Sequence, residues 1–416
     1  MHATGIIAEY NPFHNGHAYQ AAQARLLGGS DVVIAVMSGH VTQRGEIAMF
    51  DKWSRAASAV SAGVDLVFEL PAVFAARSAQ HFAAGGVRLL ASLGVVGHLS
   101  FGSETADLQS LENAASGLSN AVVVQTLKFN MESGQTYAAA MSAALTAGGH
   151  AGADFISSPN NILGVEYLRA LRKYAPEVAA LPVVRLGSGH HATGINGCFS
   201  SATAIRRQLS SSSFIDPVTA NTMPPNAVAI FSQMLAEGTA PADPSRIDSH
   251  ILAKLRSMKN LELLSIPECS EGLENRLVRS ANLGGTVKAL LEHLKSRRYP
   301  YTRLQRIMAH VLLGTTKSQL VDFDRSGPLY ARVLAFNKKG RTALRSISRR
   351  SSIPLINKTT AFLNSRSMRE ENLSPLQTML TFDVTATDIF TLCLPNPSRR
   401  IGGLDFKRSA VYSENT

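Results

Sequence analysis

Cysteine is scarce: Cys198, Cys269 and Cys393 are the only three among 416 residues. Their wide spacing fits neither a disulfide framework nor a zinc motif. Long apolar runs are missing too. None approaches the roughly 20 residues needed to span a bilayer, so no membrane role is expected. The first apolar stretch is broken at once by Glu9, Asn11, His14 and His17, which is not the pattern of a secretory leader. A cytoplasmic protein is the expectation. Acidic residues are sparse in one place: from Arg276 to Arg350 only Glu292, Asp322 and Asp324 stand against 17 lysines and arginines. That stretch outweighs the whole chain's net charge of +11. It points to a polyanionic partner, or to a solvated basic surface with no ligand.

What is present is a chain long enough for two domains, with 45% hydrophobic residues to fill a core. The first half alternates short apolar runs with helical patterns. Strands are predicted at 5–9, 31–37, 65–70, 98–101 and 181–186, and helices at 16–27, 52–62, 79–93 and 161–174. Such alternation predicts an α/β fold, a doubly wound parallel sheet with its ligand at the carboxyl ends of the strands. The Ser/Pro-rich stretch 210–225 reads as a linker. It would divide a first domain, 1–209, from a mainly helical basic domain, 226–416. Helices are predicted there at 227–237, 247–257, 273–280, 287–294, 303–313 and 330–346, with a β-leaning tail at 389–394. There is no internal repeat.

Polar clusters follow three of the predicted strands: Asn11 to His17, Ser38 to Arg44, and Gly102 to Glu104. In the first, Pro12 ends a strand, and Gly16 lets a ligand approach the backbone at the start of a helix. That helix would offer free N–H groups and its positive end to phosphates. His14 and His17, three residues apart, can reach one phosphate together, and imidazoles there suit charge stabilisation at a transferring phosphorus. Gly102 would let a nucleotide lie on the backbone, and Asn161 offers both donor and acceptor. Gln43 and Arg44 are placed for a carboxylate or phosphate. Arg297, Arg298, Tyr299 and Arg303 interleave aromatic and basic groups as RNA-contacting surfaces do. Taken singly, each feature also has an ordinary reading as a cap, a turn or a solvated face.

The segment His14-Asn15-Gly16-His17 after the first strand resembles the HxGH signature of the nucleotidyltransferase superfamily. A second element of that superfamily, a serine/threonine helix start ending in Ile-Arg, is matched with one inserted alanine by Ser200-Ser201-Ala202-Thr203-Ala204-Ile205-Arg206. The hydroxyls of Ser201 and Thr203 can cap that helix and meet phosphate oxygens, and Arg206 adds fixed charge. Over nearly the whole chain the strings AVMSGHVTQRGE, GVDLVFELP, FGSE, PNNILGVEYL, EGLENRL, SRRYPYTRLQRIMAHVLL and YARVLAFNKKG are similar to the bacterial tRNA(Met) cytidine acetate ligase family. The resemblance implies an enzyme that activates acetate with ATP as acetyl-adenylate, then acetylates the wobble cytidine of elongator tRNA(Met).

It also implies ATP contacts along Ile7, Ala8, Glu9, Tyr10, Asn11, Pro12, Phe13, His14, Asn15, Gly16, His17, Ala18, Tyr19 and Gln20, and at Gly102, Asn161, Arg185 and Leu186. One departure is Gly189-His190-His191, where the family usually has Gly-Tyr-His. Another is Lys295-Ser296-Arg297-Arg298-Tyr299-Pro300, which keeps the family's charges. His14, His17, Arg206 and a magnesium ion accompanying ATP would neutralise charge as acetate attacks. No protein-held metal site is expected. Two other readings stay open from the residues themselves: a small-molecule cytidylyl- or adenylyltransferase, and a nucleotide-sensing RNA-binding protein without catalysis.

Overall fold

The structure, a computed structural model, describes all residues except 105–106, 151–155, 157, 187–193, 196, 211, 271 and 415–416. The segment Gly189-His190-His191 therefore lies outside the described residues.

Five strands run parallel: β1 (Ala3–Ala8), β2 (Val32–Ser38), β3 (Leu66–Leu70), β4 (Val96–Ser103) and β5 (Ala179–Val184), ordered β5-β4-β1-β2-β3. Their side chains alternate between two cores, as the period of a strand requires. Ile34, Val36, Leu66 and Phe68 face one core, and Val33, Ala35, Met37 and Val67 the other. On the second face lie helices α1 (Asn15–Leu27) and α2 (Lys52–Val60); on the first, α3 (Ala79–Ser92) and α4 (Pro159–Tyr174). This is the doubly wound sheet predicted, covered by helices on both faces.

The second half of the chain departs from expectation at two places. The helix predicted at 330–346 is a strand followed by a helix. Ala331–Phe336 forms β6, antiparallel to β3, and α9 spans Lys338–Arg350; the helices before it include α5 (Ala202–Leu209), α6 (Asp248–Ser257), α7 (Val287–Leu294) and α8 (Tyr301–Leu313). The run Ala331-Arg-Val-Leu-Ala is buried at every position, so it shows no helical face. Asn337 starts α9 by accepting the Gly340 N–H through its side chain. The strand-like tail at 389–394 is instead the end of α10 (Pro375–Leu392), a helix with burial on several sides and hence little helical period.

Two short strands, β7 (Leu355–Ile356) and β8 (Val411–Tyr412), also pair with β6. Three of the sheet's eight strands thus come from beyond residue 225, and a cut within 210–225 would divide the sheet. The stretch itself is packed. Thr219, Thr222 and Met223 are buried, and the Thr222 carbonyl accepts the Asn15 N–H at 2.9 Å.

Four charges weld β3 to the late chain. Lys52 Nζ lies 2.8 Å from Glu69 and 2.9 Å from Asp405, while Arg332 meets Glu69 at 3.2 Å and also pairs with Asp405. All four are buried. Removing one partner strands a charge in the interior, at a cost of about 3–5 kcal/mol. Arg332→Met should therefore lower the urea midpoint of unfolding sharply, whereas the exposed Arg345→Met should not move it.

The basic stretch does not form one surface. Helix α9 lies under the amino-terminal edge of the sheet. The Asn337 N–H donates to the Asp65 carbonyl just before β3, and the Ser352 N–H donates to the Ser92 carbonyl just before β4. A Cβ on Gly340 would sit 2.0 Å from the Asp65 oxygen, so only glycine allows this approach. The exposed Lys338, Lys339, Arg341, Arg345, Arg349 and Arg350 consequently face away from the strands' carboxyl ends. Among the described residues no helix is long and apolar enough to cross a membrane.

Candidate active site

The chain leaves β1 through a tightly held loop. Arg55 on α2 is fully buried and donates to the carbonyls of Glu9 (2.6 Å), Ser38 (3.1 Å) and Phe50 (3.0 Å), and also to Gly39. It thereby ties the exits of β1 and β2 together. Asn11 accepts the Met49 N–H at 2.9 Å, and Tyr10 and Phe13 pack edge-on in the core. Glu9 accepts the Gln43 N–H at 2.6 Å. Burial raises its pKa, with Glu46 adding to the shift and Arg206 and Arg44 opposing it.

At the top of this loop the two histidines cap α1 reciprocally. His14 Nδ1 accepts the Gly16 N–H at 3.1 Å, and His17 Nδ1 accepts the His14 N–H at 3.3 Å. Their rings stack with centroids 3.7 Å apart. Burial, helped by the charges of Arg185 and Arg206, lowers the His14 pKa to about 3. Burial, then His14 and Arg185, lowers that of His17 well below the ordinary value. Both rings are therefore neutral at neutral pH. Since each Nδ1 accepts a hydrogen bond, each proton must sit on Nε2. The cap fixes a pair of Nε2–H donors.

Neither ring should titrate between pH 8 and 5, which imidazole nitrogen shifts can check; a titration centred near 6.5 would refute the assignment. The linkage has a sign. The unfolded chain takes up these protons below pH 6.5 and the folded one does not, so their contribution is complete above 6.5 and lost in acid. For His14 this amounts to about 2 kcal/mol at pH 5. Asp383, raised to about 7 by burial and by Glu69, offsets part of it.

A pocket of about 490 Å3 opens against this pair, between the carboxyl ends of β4 and β5 and the start of α5. His14, Gly16, His17, Tyr19, Gln20, Gly102, Arg185, Leu186 and Ser201 all line it. So do Ser200, the first residue of the serine motif, and Val183, Val184 and Phe199, which no motif singled out as ligands; Phe199 could have been suspected as the aromatic before the Ser-Ser pair. Other expected contacts serve as scaffold. Ile7, Ala8, Glu9, Tyr10, Asn11, Pro12, Phe13, Asn15 and Ala18 do not line the pocket. The Asn15 side chain donates to the carbonyls of Cys198 and Asn221. Asn161 is buried and its Oδ1 holds Ser103 at 2.7 Å and the Glu104 N–H at 3.1 Å, shaping the loop behind Gly102. Thr203 accepts from Arg206 at 3.4 Å, and Arg206 also donates to the Asn11 carbonyl at 2.8 Å.

Two expectations need correction. The first N–H groups of α1 are not free. Those of Asn15, Gly16 and His17 bond to the Thr222 carbonyl, His14 Nδ1 and the His14 carbonyl. Side chains must therefore supply the donors that the backbone was expected to give. Tyr299 is 3% exposed, flanked by Arg276 and Arg303 at 5.3 and 5.4 Å from its ring, and cannot stack on a base. Arg303, half-buried, donates to the Glu268 carbonyl and to Ser270 and so holds the start of α8. Arg297 and Arg298 are exposed. Gln43 is engaged with Glu9 and with the Arg77 carbonyl.

Residues 1–403 match the HIGH Nucleotidyl Transferase family. The tRNA(Met) cytidine acetate ligase of Acetivibrio thermocellus is 38% identical over 99% of this chain and all of its own length. The chain belongs to the tRNA(Met) cytidine acetate ligase family. The Syntrophomonas wolfei ligase is 37% identical over 99% of both chains. The crystal structure of Thermotoga maritima TmcAL without ligand superposes with a TM-score of 0.90, at 30% identity over the full length of both chains. The same protein bound to alpha-thio ATP gives 0.89 at 30% identity, covering 99% of each.

Proposed function

We propose that this protein uses ATP to convert acetate to acetyl-adenylate and then acetylates the wobble cytidine of elongator tRNA(Met). The observation that carries the reading is the pair of neutral, Nε2-protonated imidazoles in the pocket beside Arg185, with Arg206 beyond. Acetate is already an anion, so its attack needs no general base. An acetate oxygen bonds to the α-phosphorus, the α–β bridge breaks, and pyrophosphate leaves with the electron pair. His14 and His17 donate to phosphate oxygens as charge builds, and Arg185 and Arg206 supply fixed positive charge. Gly16, Gly102 and Ser201 shape the bed for the nucleotide. Among the described residues no group of three His, Cys, Asp or Glu could hold a metal; magnesium would arrive on the triphosphate, mostly held by its oxygens. In the second step the cytidine amine attacks the acetyl carbon and AMP departs.

Residues 1–209 would carry the adenylation chemistry, and the helices from 273 to 313 the RNA contact. Arg276, Arg279, Lys288, Lys295, Arg297 and Arg298 are exposed there. Arg297→Glu with Arg298→Glu should weaken tRNA binding at least tenfold at 0.1 M salt and lower the salt slope by about 2. Acetyl-adenylate formation should continue; unchanged filter-binding titrations would move the RNA surface elsewhere. The deciding experiment uses full-length protein with labelled ATP, with and without acetate and tRNA. Acetyl-adenylate formed with acetate alone supports the reading. Nucleotide transfer to a small phosphate ester, with no stimulation by acetate, would favour the small-molecule transferase.

A further inference from the structure

A second cavity of about 760 Å3 lies between the loop at Gly45–Ile47 and helices α6, α7 and α8. Ile47, Ile251, Leu291 and Met308 give it apolar walls; Glu46 and Gln305 contribute a carboxylate and an amide, and a second carboxylate, Asp248, accepts the Val287 N–H at 3.0 Å. Glu46 joins the cavity to the nucleotide site. Its Oε2 is 3.9 Å from Arg206, whose other nitrogen reaches the Asn11 carbonyl of the histidine loop. Its Oε1 accepts from Gln305 Nε2 at 3.4 Å, a contact long enough to exchange for a better partner. The loop is held in place: Gly45 has φ of +80°, and a Cβ there would lie 2.6 Å from the Arg306 nitrogen.

We propose that this cavity receives the cytosine of the RNA substrate, turned out of its stack, and that Glu46 accepts the proton its amine loses. The inference rests on the ligase reading above and adds the place and the base for its second step. An unstacked base needs apolar walls for its faces and polar groups for its edge. Cytosine presents an amine donor at N4 beside an acceptor at N3, which match a carboxylate and an amide N–H. Uracil would turn a carbonyl oxygen toward Glu46 and be repelled. Exposed Lys288 at the rim is placed for the flanking phosphate. Position also favours the step, because Arg206 bridges Glu46 and the Asn11 carbonyl of the histidine loop. N4 bonds to the acetyl carbon and the bond from that carbon to the phosphate oxygen breaks. AMP takes the electron pair, and the N4 proton passes to the Glu46 carboxylate.

The test measures two rates on each full-length protein: acetate-dependent ATP–pyrophosphate exchange, and single-turnover acetyl transfer from bound acetyl-adenylate to tRNA. For Glu46→Gln the ratio of transfer to exchange should fall on the order of 100-fold, with partial recovery in Glu46→Asp. Ser245→Trp, at the exposed rim, should lower the same ratio at least tenfold by blocking entry, with an unchanged melting temperature. Either variant keeping the wild-type ratio overturns the assignment. Wild-type protein without exchange would instead overturn the ligase reading itself, so the two failures are distinct.

Discussion

Replacing His14 by asparagine should leave the protein folded while reducing acetate-dependent ATP–pyrophosphate exchange on the order of 100- to 1,000-fold. Asparagine is among the best N-cap residues, and its amide oxygen can accept the helix N–H that His14 Nδ1 now accepts. What it cannot restore is the second ring nitrogen, which carries its proton toward the pocket. Removing one preorganised donor from a transition-state site has an effect of this size. His14→Ala should lose the same activity and also about 1 kcal/mol of stability, because the cap goes with the ring. The comparison separates the two functions of one side chain. Equal exchange rates in wild type and the asparagine variant would show that His14 is a cap and nothing more. His17→Ala should behave like His14→Ala in exchange, since the stacked rings form one unit.

The second large effect concerns the chain's division. A protein ending at residue 209 keeps most of the nucleotide pocket, yet it should fail to fold. It lacks β6, so β3 becomes a bare edge of unpaired backbone groups. It lacks Arg332 and Asp405, so Lys52 and Glu69 are left as an isolated buried pair without the partners that complete their neutralisation. It also loses Phe231, which packs on Phe50 with ring centroids 4.2 Å apart. Circular dichroism and proton NMR of this fragment should show an unfolded or aggregating chain. A cooperative melt near that of the whole protein would show that the late strands are accessory.

Much of this was legible beforehand, for reasons that belong to particular residues. The parallel strands were readable because their buried runs are short and bounded by polar clusters, and His14 and His17 because strand, proline, glycine and helix follow one another so closely. The strand at Ala331–Phe336 was not readable. Buried on both faces, it has no alternation, and the basic helix after it lends it a helical look. Tyr299 reads as a stacking platform among cations; only packing shows those cations stacked on it and the ring buried. The Asn15 N–H reads as free because its partner, the Thr222 carbonyl, lies 207 positions away, and those of Gly16 and His17 because His14, which holds them, reads as a ligand. The buried charges likewise join Lys52 to a carboxylate at position 405, which no local pattern reveals.

That last distance has a consequence in time. On a ribosome Lys52 and Glu69 emerge well before their partners, since Arg332 and Asp405 follow Glu69 by 263 and 336 positions. At about 5–20 residues per second, some tens of seconds separate the two events. Until then β3 has no antiparallel neighbour, and Lys52 and Glu69 lack two of their buried partners. The nascent sheet should therefore keep an open edge at β3 until Ala331–Phe336 has emerged.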